Sequence, residues 1–121
     1  MKITIDKKEK CTVLMVHEEK LISNVAPELK AQLVFLINQG ERNLVIDLSE
    51  TKYCDSSGLS AILAGNRLCK NANGSFVISG LQDAVQKLIK ISQLESVLNI
   101  VPKVEEAIDI VIMEEIEREV K

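Results

Sequence analysis

Two short apolar runs constrain this chain more than any other feature of its sequence. Leu44-Val45-Ile46-Asp47-Leu48 is nearly continuous and too short for a helix between its neighbours, which is the pattern of a central strand buried on both faces. Phe76-Val77-Ile78 repeats the pattern further along. Between and around them lie segments of helical spacing. Leu29, Leu33, Leu36 and Ile37 follow Pro27 and run to Gly40, with Ser23 or Asn24 available as a cap. Leu59, Ile62 and Leu63 run down to Asn71-Ala72-Asn73-Gly74, and Leu81, Val85, Leu88 and Ile89 follow Gly80. Ahead of this alternation, Met1–Asp6 and Cys11–His17 read as two strands joined by a turn through Lys7-Lys8-Glu9-Lys10. Leu98–Val101 is a last short strand ended by Pro102, and a helix spans about 103–120. The pattern predicts an α/β fold with a mixed β-sheet of about four to five strands packed by about four helices.

Length fixes the number of cores. The chain has 121 residues, enough for one domain and not for two, and no linker or repeat divides it. A single domain over 1–121 is expected. Only Phe35, Tyr53 and Phe76 are aromatic, so that core is aliphatic.

The net charge is −3, unevenly spread. Residues 104–121 hold seven of the eighteen acids and only two bases, which leaves the rest of the chain slightly basic. Neither the charge nor the aromatic content suits the basic, stacking surface that nucleic acid requires. No apolar run approaches the ~18 residues of a membrane span, and the start lacks the form of a signal peptide. Cys11, Cys54 and Cys69 are odd in number and widely separated, with His17 the one histidine, so neither a disulfide framework nor a metal site is expected. A reducing, cytoplasmic setting is the default expectation.

Catalytic chemistry finds little support. A serine nucleophile needs a base within reach, and His17 ends a predicted strand. The five glycines are scattered and form no phosphate-cradling loop. No enzyme and no cofactor are expected. What stands out is Asp55-Ser56-Ser57-Gly58-Leu59, at the start of a helix. Asp and Ser are preferred caps, so the run is open to a purely structural reading. Gly58 adds something, because glycine in a first helical turn costs up to ~1 kcal/mol relative to alanine and lets another group approach the backbone.

Taken together, Leu44-Val45-Ile46-Asp47-Leu48-Ser49, Asp55-Ser56-Ser57-Gly58-Leu59, Phe76-Val77-Ile78-Ser79-Gly80-Leu81 and Val85-Gln86-Lys87-Leu88 resemble the STAS domain, of the bacterial anti-sigma factor antagonist type, over roughly residues 3–110. The resemblance implies regulation of transcription by partner switching. The unphosphorylated protein would bind an anti-sigma factor with serine kinase activity, which phosphorylates Ser56, and a PP2C-type phosphatase would restore it. Partner contacts are implied at Asp55, Ser56, Ser57, Gly58 and Leu59, with Ile22 and Ser23 beside them.

Two positions depart from the family pattern. Glu19-Lys20-Leu21-Ile22 has Ile22 where the family usually carries an acid, and Ser60 stands where a glycine is common. A second reading is therefore a non-phosphorylated STAS subunit of a membrane-associated transport complex of the lipid-transport type. The last helix carries Val104, Ile108, Val111, Ile112, Ile116 and Val120 as an apolar stripe. That stripe is either core-packed under a solvated acidic face or, at its end, a contact for a partner or for a second copy in a homodimer.

Overall fold

The computed structural model of the chain describes residues 1–120. Strand β1 (Ile3–Lys7) turns through the charged Lys8–Lys10 segment and pairs antiparallel with β2 (Thr12–Val16), with Ile3 opposite Val16. Helix α1 (Ala26–Asn38) then returns the chain to β4 (Leu44–Asp47), parallel to β2. Two further crossovers follow. Helix α2 (Ser56–Asn71) leads to β6 (Phe76–Ser79), and α3 (Asp83–Ile91) leads to β7 (Asn99–Val101), each strand parallel to the one before. Helix α4 (Val104–Glu119) closes the described chain. The main sheet has the order β1-β2-β4-β6-β7, so the Leu44 run is its middle strand, as its composition requires.

Strand periodicity divides the core into two layers. Leu14, Ile46 and Ile78 point to one side and are fully buried against α1, α2 and α3 through Leu29, Leu33, Ile62 and Ile89. Val13, Val45 and Val77 point to the other side, where α4 alone covers them with Ala107 and Val111. Two apolar layers on one sheet explain why its central strands read as continuous runs.

The structure corrects two expectations and adds a second, smaller sheet. Neither Ser23 nor Asn24 caps α1: Val25 holds the cap position without a side-chain hydrogen bond, and the Val25 and Ala26 N–H groups donate instead to the Ile22 carbonyl. The added sheet is two-stranded: Tyr53–Cys54 (β5) pairs in parallel with Lys20–Leu21 (β3). The apolar stripe predicted on α4 also rotates off the sheet at its end. Ile116 and Val120 are exposed, and Glu115 and Arg118 occupy the row below Ala107 and Val111. The Glu115 carboxylate is held by Arg42 at 2.5 Å and Arg118 at 2.9 Å, so a buried charge can replace an apolar contact there. Those two guanidinium groups hold the carboxyl at a pKa of about 2.

Candidate functional site

The site is assembled by the small sheet. Lys20 pairs with Tyr53 and Leu21 with Cys54. The ladder is extended by Glu19, whose carbonyl accepts the N–H groups of Lys52 and Tyr53, and by the Thr51 hydroxyl, which donates to the Glu18 carbonyl at 2.9 Å. Two segments far apart in sequence, 18–23 and 50–58, are thereby laid side by side.

Asp55 locks them together. Its backbone is extended (φ −101°, ψ −174°), as a cap residue requires, and its Oδ1 accepts the Gly58 N–H at 3.0 Å. Its Oδ2 accepts the Ser23 N–H at 3.1 Å. One carboxylate therefore caps α2 and pins the chain that leads into α1. The capping role expected of Asp55 is present, and a cross-link is added to it.

Gly58 has a different role from the one its position suggests. A Cβ here would collide with the backbone oxygen of Leu21 and would lie 2.6 Å from Cys54 Sγ. The group that approaches this glycine closely is the chain's own β3 strand, not a partner. Gly58 and Leu59 are both buried. The surface at the start of α2 is made by Ser56, which is exposed, with Asp55 and Ser57 half-buried next to it and Ser60 one turn on. Ile22 is half-buried and Ser23 exposed.

A groove of about 380 Å³ runs between the two helices at this point. Ser23, Pro27 and Lys30 line the α1 side, and Ser56, Ser57 and Ser60 the α2 side. Of the residues that sequence reasoning singles out, Ser23, Ser56 and Ser57 share this groove. Lys30 was not singled out, since nothing in the α1 periodicity shows which polar positions face α2. Ser56 is the first residue of a sixteen-residue helix, where unsatisfied N–H groups and the macrodipole favour negative charge. Cys54 lies beneath, its thiol pushed up to about 12 by burial and by the neighbouring Asp55, so it is a packing group and not a nucleophile.

The one histidine stands apart from this chemistry. His17 Nε2 is 2.7 Å from the Thr4 hydroxyl, and Nδ1 is 2.7 Å from a Glu50 carboxylate oxygen. Both ring nitrogens are engaged, and neither contacts a serine. Among the described residues, no helix is long and apolar enough to cross a membrane.

Comparison with known proteins places the chain in a family. The family model described as the STAS domain matches residues 2–107. The anti-sigma-B factor antagonist of Bacillus subtilis is 32% identical over 80 residues, covering 66% of this chain and 72% of the relative. The crystal structure of an anti-sigma factor antagonist from Mycobacterium paratuberculosis superposes with a TM-score of 0.81 at 20% identity, covering 91% of this chain and 92% of that one. The Bacillus cell fate determinant SpoIIAA in its phosphorylated form gives a TM-score of 0.70 at 20% identity, covering 91% and 99%.

Proposed function

The chain belongs to the STAS domain family, and on that premise we propose that it is an anti-sigma factor antagonist working by phosphorylation-controlled partner switching, with Ser56 as the phosphoacceptor. The observation that carries this reading is the placement of Ser56: exposed, first in α2, and held on a turn that Asp55 fixes from two sides. A kinase can reach that hydroxyl, and a partner can press against it. Ser57, half-buried, is the poorer acceptor.

The physics of the switch is local. A phosphate adds roughly −1.5 to −2 charge, and at a helix N-terminus that charge is favoured by ~0.3–1 kcal/mol. The fold tolerates it. The cost falls on the interface, where a dianion beside Asp55 meets a surface that has shed its water. Each ~1.4 kcal/mol of that cost is a tenfold loss of affinity. The partners on this reading are an anti-sigma factor with serine kinase activity and a PP2C-type phosphatase, in the cytoplasm. Partner contacts would be made by Asp55, Ser56 and Ser57 with Ser23 and Ile22, while the buried Gly58 and Leu59 support that surface from behind. Ile22 offers an apolar contact where an acid is usual, which is the one feature that favours docking on a transport complex instead.

The test is a pull-down with wild type, Ser56→Ala and Ser56→Asp as baits, combined with phosphosite mapping. The expected result is that wild type and Ser56→Ala retain an anti-sigma factor and Ser56→Asp loses it at least tenfold, with circular dichroism unchanged. Equal recovery by all three baits overturns the switch, and recovery of a permease or its ATPase supports the second reading.

A further inference from the structure

The main sheet ends in two open edges. One is β7, three residues long; the other is β1, five residues long and exposed from Thr4 to Lys7. The hydrogen bonds already made show which backbone groups of β1 are spare. At the two ends of the β1–β2 ladder, the His17 N–H donates to the Lys2 carbonyl and the Lys8 N–H to the Cys11 carbonyl. Antiparallel pairs alternate between bonded and unbonded, so Lys2, Thr4, Asp6 and Lys8 turn their backbone groups toward β2. Ile3, Ile5 and Lys7 turn theirs outward, where no strand receives them among the described residues.

The side chains along this edge sort by face. Ile3 and Ile5 share the face of Val16 and Leu14, on the side of α1, and Lys2, Thr4 and Asp6 lie on the other. Helix α1 runs alongside β1, tied at one end by Glu28 to the Met1 ammonium at 2.8 Å and just past the other by Glu41 to Lys7 at 3.1 Å. Phe35 stands two turns from Glu28 on the same stripe of α1, and so beside the β1 edge. Phe35 is 55% exposed and Ile5 40%, so an apolar strip lies open along the spare backbone groups.

We propose that β1 pairs antiparallel with β1 of a second copy, joining the two main sheets into one about a two-fold axis at Thr4. Hydrogen bonds form only where outward-turned residues stand opposite one another, and among the registers that allow this the side chains choose. With the axis at Thr4, Ile3 exchanges backbone hydrogen bonds with Ile5 of the second copy, and Lys2 stands opposite Asp6 on both sides of the axis. Moving the axis to Ile5 sets Lys2 against Lys8 and Ile3 against Lys7; moving it to Ile3 sets Lys2 against Thr4. One face of the seam is thus all isoleucine, flanked by Phe35, and the other carries opposite charges. Asp6, which pairs with Lys8 at 3.1 Å in the single chain, exchanges that partner for Lys2 of the second copy. Charged edge residues deter pairing with most strands, but this set matches itself, as a two-fold interface requires. The surface shares no residue with the groove at Ser56, so the dimer stands whether or not Ser56 is phosphorylated.

The test is sedimentation velocity of the full chain together with amide exchange. The expected result is a concentration-dependent dimer in which exchange at the Ile3 and Ile5 N–H groups slows as concentration rises, while Thr4 and Asp6, already bonded to β2, do not change. Asp6→Lys alone, or Lys2→Asp alone, sets like charges across the axis and should weaken the dimer about tenfold. An equimolar mixture of these two variants restores opposite charges at every pair and should associate within about threefold of wild type, which also shows that both variants are folded. Phe35→Ser should weaken the dimer, and Ile116→Ser on α4 should leave it unchanged. The proposal is overturned if the chain stays monomeric up to about 1 mM, where even weak association is visible. It is overturned equally by a dimer that leaves Ile3 and Ile5 exchange unchanged, or by a mixture no more associated than either variant alone.

Discussion

Asp55 and Ser23 lie 32 positions apart in the chain and are joined by a single hydrogen bond, the Asp55 Oδ2 accepting the Ser23 N–H at 3.1 Å. The other oxygen of the same carboxylate caps α2 through Gly58. Replacing Asp55 with alanine removes a cap, worth about 0.5–2 kcal/mol, together with the tie to the segment leading into α1. The expected outcome is a loss of ~1–2 kcal/mol in urea unfolding and faster amide exchange at both Ser23 and Gly58. A pure cap would speed exchange at Gly58 alone, so protection retained at Ser23 would show that the cross-link is unimportant.

Gly58→Ala separates helix propensity from packing. Propensity alone predicts a gain of up to ~1 kcal/mol. The added methyl would collide with the Leu21 backbone oxygen and sit 2.6 Å from Cys54 Sγ, and backbone atoms cannot step aside as a flexible side chain can. Calorimetry should therefore show destabilisation of ~2–3 kcal/mol or more, and a melting temperature at or above wild type would refute the close approach.

Glu115 should make stability fall with acid. Its folded pKa of about 2 is depressed from the ordinary 4.5 by Arg42 and Arg118, so the stabilisation is fully present above the unfolded pKa and disappears as pH drops through the folded one. The two arginines keep partial access to solvent, which screens the attraction. Glu115→Gln should cost about 2 kcal/mol at pH 7, and its difference from wild type should shrink between pH ~4.5 and ~2. A difference that is constant with pH would mean that the carboxylate charge contributes nothing.

On α4, position and not hydrophobicity decides the cost of substitution. Val111 is fully buried between the helix and the sheet, whereas Ile116 is 50% exposed and Val120 79% exposed. Val111→Ala should cost ~2 kcal/mol, and Ile116→Ser or Val120→Ser no more than about 0.5 kcal/mol. Denaturant titration of the three variants checks this, and equal costs would restore the longer stripe read from sequence.

What the sequence determined by itself was the architecture and the local chemistry. Short apolar runs between helical periods are enough to specify buried parallel strands with crossover helices, because burial on two faces removes the polar alternation that other strands show. Asp55 as a cap and Ser56 at the start of α2 were legible for the same local reason: a helix terminus has a fixed need for acceptors near its N–H groups. Tertiary structure alone decided the rest. The two-residue strands β3 and β5 are too short to carry a period, and they form only because each completes the other's hydrogen bonds. Gly58 faces Leu21, Asp55 reaches Ser23, and Glu115 displaces Ile116 from the inner row of α4. Each of these contacts joins segments brought together by the fold, and no local periodicity records which residue will stand on the other side.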